Sequence, residues 1–402
     1  MQALYDSLLK ALGLSGVIPA WVGYTVFILI AAVILSAVGG LTPIIMVLAE
    51  RKVSADIQDR FGPNRVGPYG VLQTVADAIK LLTKENITPA KADPFLHLMA
   101  PILVFTGAFI PLIAVPWARR IILADFNIGV LYILGVASFT VIGMLMAGWS
   151  SNNKWSLLGG MRSAAQIISY EIPNSLALLT VIVIAGTLSM NGLAEAQSGG
   201  VHRWFVFRSP FAFLAFFLYL TSSLAEANRV PFDLPEAESE LVSGYHTEYS
   251  GMRWAIFMMS EYIEMLVVNS VAVTVFLGGW NGMLPGEPLM AGWLWFVLKV
   301  SALMYMQVWV RFTLPRLRVD QLMYLGWKVL LPASFVTMLG ASFQAILGPM
   351  GQMVMSATAW LLFAGFVVLV VRLARATGHV PRRLRELERR RAERSVVHEE
   401  ER

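Results

Sequence analysis

Residues 254–278 read WAIFMMSEYIEMLVVNSVAVTVFLG, a stretch of 25 residues carrying only two charges, Glu261 and Glu264. Crossing roughly 30 Å of hydrocarbon as a helix takes about 20 apolar residues, so this stretch is long enough to span a bilayer. Inside lipid, backbone groups are satisfied only within a helix or a closed barrel. Working outward, eight further stretches come close to the same standard, at approximately 22–49, 95–117, 127–149, 164–190, 211–225, 293–313, 329–347 and 353–373. The one at 211–225 is short, and the one at 329–347 meets Pro332 near its start.

Composition agrees with this reading. Of 402 residues, 57% are hydrophobic and 14% charged, whereas a soluble domain carries roughly 25% charged residues. The expected fold is an all-α polytopic integral membrane protein with about nine transmembrane helices and an amphipathic helix on the cytoplasmic surface. Residues 1–373 form the transmembrane domain, with cytoplasmic loops 51–94, 150–163, 226–253 and 311–328, and residues 374–402 form a charged cytoplasmic tail. The chain has no cysteine, which excludes disulfides, iron–sulfur ligation and thiolate zinc sites of its own. Its five histidines show no i, i+4 pairing, so no metal site is expected. There is no glycine loop for phosphate. The first twenty residues lack a basic region ahead of a short apolar core, so they do not read as a cleaved signal peptide.

The net charge of +5 and the pI near 9.4 would suggest nucleic acid in a soluble protein. Here topology accounts for the basic residues and no nucleic-acid partner is expected. The loops assigned to the cytoplasm, with the tail, hold 25 of the 31 Lys and Arg. Without the tail the ratio between the two sides is still 15 to 5. By the positive-inside rule the N-terminus lies outside and the C-terminus in the cytoplasm.

Two cytoplasmic segments stand out. The first opens ERKVSADIQDRFGPNRVGPYG at 50–70, where glycine and proline punctuate a turn-rich connection. Next, Leu72, Val75, Ile79 and Leu82 share one helical face and Asp77, Lys80 and Lys84 the other, the pattern of a helix lying along a surface. An interfacial anchor explains Arg51 and Lys52 equally well. The second segment is acidic: Glu226, Asp233, Glu236, Glu238, Glu240, Glu248, Glu261 and Glu264 fall within 39 residues, interleaved with Pro231, Phe232, Leu234, Leu241, Tyr245 and Tyr249. A solvated loop tolerates such acids, but the apolar partners suit packing against protein. Crowded, partly buried carboxylates repel one another, which tunes them for proton exchange. Glu171, Glu261, Glu264 and Lys299 fall inside spans, where ionisable groups are costly and mark pathways or ion pairs.

The wording of these blocks, ERK followed by R-x-G-P-N-x-V-G-P-Y-G and A-D-A-x-K-L-x-x-K-E, resembles a known family. The likeness continues through WSLLGGMRSAAQIISYEIP at 155–173, AEANRVPFDLPEAESELVSGYHTEYSGMRWA at 225–255 and VRFTLPRLRVDQLMYLGWK at 310–328. The chain resembles the quinone-site membrane subunit, called the H subunit in bacteria, of proton-pumping NADH:quinone oxidoreductase, respiratory complex I. This resemblance implies a subunit of a multisubunit enzyme in the bacterial plasma (inner) membrane. Its partners would be membrane lipid, the other membrane-arm subunits and the peripheral-arm subunits that complete quinone reduction, and its substrate would be quinone. It would bind no cofactor alone.

On that basis Arg51, Lys52, Arg60, Asp77 and Lys80 are the expected quinone-headgroup residues. Glu171, Glu226, Asp233, Glu236, Glu238, Glu240, Glu248, Glu261 and Lys299 are the expected proton-coupling residues. Glu264 stands where the resemblance implies an uncharged residue, and its role stays open. The homologous membrane subunit of an energy-converting hydrogenase, or of another dehydrogenase that does not use NADH, is the alternative. A standalone ion transporter is a further one, disfavoured because no inverted repeat is visible.

Because the chain lacks cysteine, introduced single cysteines report orientation. A cysteine at Asn64 reacts with an impermeant thiol reagent only from the cytoplasmic side, and one near Gly199 only from outside. Labelling of both from the same side overturns the nine-span topology.

Overall fold

The computed structural model describes residues 20–119, 121–235, 241–283, 292–347 and 349–377. Among these, seven helices are long and apolar enough to cross a membrane: Tyr24–Ile57, Pro94–Ala114, Gly129–Ser150, Lys154–Ala185, Gly251–Phe276, Gly292–Thr313 and Val319–Ile346. Shorter apolar helices, Pro210–Glu226 and Met350–Phe366, occupy the remaining two expected positions. Most of the tail, residues 378–402, and the acidic residues Glu236, Glu238 and Glu240 lie outside the described residues.

Three helices extend well into expected loops. The first helix runs on to Ile57, so Glu50, Arg51 and Lys52 ride on helix. The fourth starts at Lys154 because the Asn153 side chain caps it, accepting from the Trp155 amide at 3.0 Å. The eighth starts at Val319 and passes through a π-helical turn, Leu325–Leu330, before Leu331–Ile346. Pro332 falls in the first turn after the π segment, where a missing backbone N–H is tolerated.

The stretch at 254–278 becomes the centre of the bundle. In its most apolar window 83% of Gly251–Phe276 is buried, against 17% for the first helix. The physical reason is on its surface: Ser260, Glu261, Glu264, Asn269, Ser270 and Thr274 leave no face that lipid could cover without stranding a polar group.

Small residues draw its neighbours together. A Cβ on Gly143 would come within 2.5 Å of the Val104 side chain, and Gly148 and Gly160 face each other across the third and fourth long helices. The acidic segment is held down by the fourth helix. Gln166 Nε2 donates to the carbonyls of Ala225 and Phe232, both at 2.7 Å, and to Asn228 Oδ1 at 3.1 Å. A Cβ at Gly159 would lie 2.7 Å from the backbone at Gly244 and Tyr245.

Substitution probes the Gly159 contact directly. Gly159→Ala forces the 244–246 turn off its helix and lowers the stability of the assembled protein by about 1–3 kcal/mol. Gly135→Ala, which meets nothing within 4 Å, leaves stability unchanged or raised. Thermal denaturation of the two variants side by side checks it, and identical behaviour speaks against the close contact.

Candidate functional site

A cavity of about 520 Å³ opens between the first helix, the short helix Gln73–Thr83 and the start of the central helix. Its walls are mostly apolar, with Pro43, Ile44, Val47, Leu81, Met258 and Phe312 among them. Its polar groups are Glu50, Arg51, Ser54, Arg60, Thr74, Asp77, Tyr262 and Arg311. The volume falls inside the roughly 300–1,000 Å³ range of small-molecule sites, and greasy walls with a few convergent polar groups are the usual composition of such sites.

Asp77 reaches the cavity because the short helix turns that face inward, while Leu72, Val75 and Ile79 stay exposed on the outside. Eleven residues are too few to span, so the exposed stripe belongs at a surface. Asp77 pairs with Arg51 at 2.6 Å and more loosely with Lys80 at 3.7 Å. Burial alone raises its carboxyl, but the Arg51 hydrogen bond and charge, with Gln73 and Lys80, outweigh that and hold Asp77 below the usual carboxylate range.

Behind the cavity wall lies a chain of buried charge. Glu50 accepts from the Tyr262 hydroxyl at 2.6 Å and from Arg311, and pairs with Arg229 at 3.6 Å. Arg229 in turn pairs with Glu261 at 3.6 Å and lies 4.1 Å from the Tyr262 ring centroid. Burial works against the Arg229 charge, but Tyr262, Glu261 and Glu50 more than offset this and hold its pKa above the ordinary arginine value. One turn along the central helix from Glu261, Glu264 shares a small internal void with Glu226, Asn174 and Tyr219. Asn174 Nδ2 donates to Glu226 at 2.6 Å. Polar groups thus run from the cavity through Glu50, Arg229 and Glu261 to Glu264 and Glu226.

The family model described as NADH dehydrogenase matches residues 28–342. A protein of Chlorobium luteolum, named as the H subunit of NADH-quinone oxidoreductase, is 50% identical over 303 residues, covering 72% of this chain and 82% of that one. A Chlorobaculum parvum protein of the same name is 50% identical over 302 residues, covering 72% and 84%. The Bacillus mycoides protein of that name is 47% identical over 321 residues, covering 78% and 92%.

The chain belongs to the H-subunit family of NADH-quinone oxidoreductase. Of the residues expected to meet a quinone headgroup in this family, Arg51, Arg60 and Asp77 line the cavity. Lys80 stays exposed beside Asp77, and Lys52 donates to the Tyr69 carbonyl at 2.7 Å. Of the expected coupling residues, Glu226 and Glu261 lie on the buried chain, and Glu171 is half-buried one turn before Asn174.

Of the other expected coupling residues that the structure describes, Glu248 and Lys299 are placed elsewhere. Glu248 accepts from Asn153 at 2.7 Å beside a different cavity that includes Lys91 and Asp93. The Asp233 backbone carbonyl accepts from Arg316. Lys299 sits at the far end of the central helix, donating to the carbonyls of Leu277, Gly279 and Asn281 at 2.7, 3.0 and 2.6 Å. Among the described residues no group of three His, Cys, Asp or Glu is placed to hold a metal.

Glu50, Arg229 and Tyr262 were not among the expected site residues. Arg229 and Arg253 are the two basic residues between Glu226 and Glu264, and a cation among so many acids was the signal for Arg229. Glu50 was hidden by its neighbours, because beside Arg51 and Lys52 it reads as part of an interfacial anchor.

Removing Arg229 leaves two buried carboxylates short of their shared cation, and breaking a buried pair in this way costs about 3–5 kcal/mol. Arg229→Leu therefore lowers the thermal stability of the assembled subunit sharply, and Arg229→Lys does so less. Wild-type melting of Arg229→Leu would show that the cluster is not coupled to the fold.

Proposed function

We propose that this chain is the subunit of a bacterial NADH:quinone oxidoreductase that admits quinone from the membrane and couples its reduction to proton movement through buried carboxylates. The observation that carries the reading is Glu50, whose carboxylate lines the cavity while pairing with Arg229, itself paired with Glu261. Reducing a quinone to a quinol takes two electrons and two protons, so negative charge develops at the headgroup until protons arrive. A headgroup near Arg51, Asp77, Tyr262 and Arg311 changes the field on Glu50. In a low-dielectric interior that change reaches Glu261 through Arg229 with little screening.

The apolar walls give an isoprenoid tail its path, and the exposed Leu72, Val75 and Ile79 face lipid. The side bearing the 51–94 loop is the cytoplasmic one in this reading. It offers the peripheral arm a basic surface with exposed aromatics, among them Phe61, 93% accessible, and Tyr69, 80% accessible. Electron transfer to quinone is completed on those partner subunits.

Two measurements test this. In the assembled enzyme, Arg51→Ala and Asp77→Asn slow quinone reduction about 10-fold or more, while NADH oxidation by a hydrophilic artificial acceptor continues; equal loss of both activities indicates a structural role. Since Asp77 is held below the usual carboxylate range, its pairing with Arg51 is fully present above that range. It is lost only as pH falls through the depressed value, so quinone reduction shows no Asp77 protonation step between neutral and mildly acidic pH.

Second, Glu226→Gln and Glu261→Gln assemble but lose most turnover tied to proton pumping, whereas Glu399→Gln in the tail has no effect. A 10-fold loss corresponds to about 1.4 kcal/mol of barrier. Unchanged protons per electron in both acid variants would leave the chain a passive quinone channel.

A further inference from the structure

We propose that the void between Glu226, Glu264 and Asn174 holds one water molecule, and that through this water the two carboxyl groups share a single proton. Glu264 is then a proton-holding residue, in a place where the resemblance to the family implies an uncharged side chain.

The void has a volume of about 20 Å³. A water needs roughly 10–15 Å³ by this measure, together with two to four polar partners, so the space admits one and not a cluster. Its walls are otherwise apolar, formed by Pro111, Ile133, Leu178, Val267 and Val271 among others. Besides Tyr219, three polar side chains border it while almost wholly buried: Glu226 at 4%, Glu264 at 5% and Asn174 at 2% exposure.

Their hydrogen bonding is incomplete in a way that a water completes. Asn174 has committed its Nδ2 to Glu226, but its Oδ1 has no partner among the described residues, and neither has Glu264 Oε1. Tyr219 also borders the void, yet its hydroxyl is committed to the Val268 carbonyl, to which it donates at 2.9 Å. Buried polar atoms are nearly always satisfied by protein or by ordered water, so two orphaned oxygens around a water-sized space point to the missing partner. A water there accepts from a protonated Glu264 and donates to Asn174 Oδ1 and to the Glu226 carboxylate.

The proton follows from charge. Two carboxylates facing one small buried space cannot both stay ionised, because each is desolvated and repels the other. The other charged groups acting on the pair are Glu171, on Asn174's helix, and Arg229, beyond Glu226. Arg229 is paired with Glu50 and Glu261, which leaves it little charge to offer. Transfer is balanced and needs no further reactant. Glu264 gives its proton to the water, which passes one of its own to Glu226, so a neutral Glu264 and ionised Glu226 become the reverse. This deepens the coupling reading of Glu226 and rests on it for its use in turnover, while the water and the shared proton exist in the resting state.

Infrared difference spectroscopy on the purified, assembled wild-type complex at neutral pH, without turnover, tests it. Exchange into H₂¹⁸O is expected to shift the O–H stretch of a hydrogen-bonded internal water, and exchange into D₂O to shift a protonated-carboxyl C=O band; the absence of any deuterium-sensitive carboxyl band overturns the proposal without any substitution. Glu264→Gln is expected to remove that C=O band, and Glu226→Gln to shift it by fixing the proton on Glu264. Val271→Ile, which adds a methyl group to the wall, is expected to abolish the water band. A C=O band unchanged in both acid variants also overturns the proposal. If Glu226→Gln loses pumping while the wild type shows no such band, this site fails and the coupling reading stands; the bands present with pumping intact in Glu226→Gln give the opposite result.

Discussion

The guanidinium of Arg229 stands between two buried carboxylates, Glu50 on the first helix and Glu261 on the central helix, and the architecture around the cavity depends on it. Burying these groups is costly unless they are paired, and attraction in a low-dielectric interior repays the cost only when the geometry is held. The fold supplies the hold. Gln166 fixes the backbone on either side of Arg229 at Ala225 and Phe232, the Tyr262 ring lies against the guanidinium, and Arg311 takes the remaining side of Glu50. A segment that would be a loop in water is thereby locked into the membrane domain.

Such a cluster is both a structural joint and an electrical one. Charges this close and this poorly screened cannot respond independently. A change in the cavity at Glu50 is a change in the surroundings of Arg229 and then of Glu261. Further along the central helix the pairing stops: Glu264 and Glu226 meet in a space with carboxyls and amide but no cation of their own among the described residues. The helix therefore carries two kinds of acid one turn apart, Glu261 matched by a cation and Glu264 matched against another acid. Groups of the first kind hold charge in place, and groups of the second kind hold protons.

Lys299 shows a buried charge met in a different way. Its ammonium donates to three carbonyls just past the end of the central helix. Helix C-termini leave carbonyls without intrahelical partners, and a cation there satisfies them and complements the helix dipole. An intramembrane lysine reads from sequence as a pathway residue, and here it also closes the end of a helix.

The class of fold was legible in the chain, because apolar stretches of about 20 residues match the length a helix needs to cross a bilayer, and a helix satisfies its own backbone there. The sequence also marked the acidic segment and the charged first connection, since ionisable residues among apolar ones need a reason. It did not determine where helices began. Helices start at Lys154 and Val319 inside expected loops through side-chain hydrogen bonds at their N-termini, Asn153 accepting from the Trp155 amide and Gln321 from the Arg318 amide, local choices that hydropathy does not register. Nor did it determine which acids meet. Glu226, Glu248 and Glu261 look alike in one dimension, yet Glu226 and Glu261 line the buried chain while Glu248 pairs with Asn153 at another cavity. Glu50 is separated from Arg229 by 179 positions in sequence. Burial and pairing are properties of the space between helices, and that space exists only once the helices have packed.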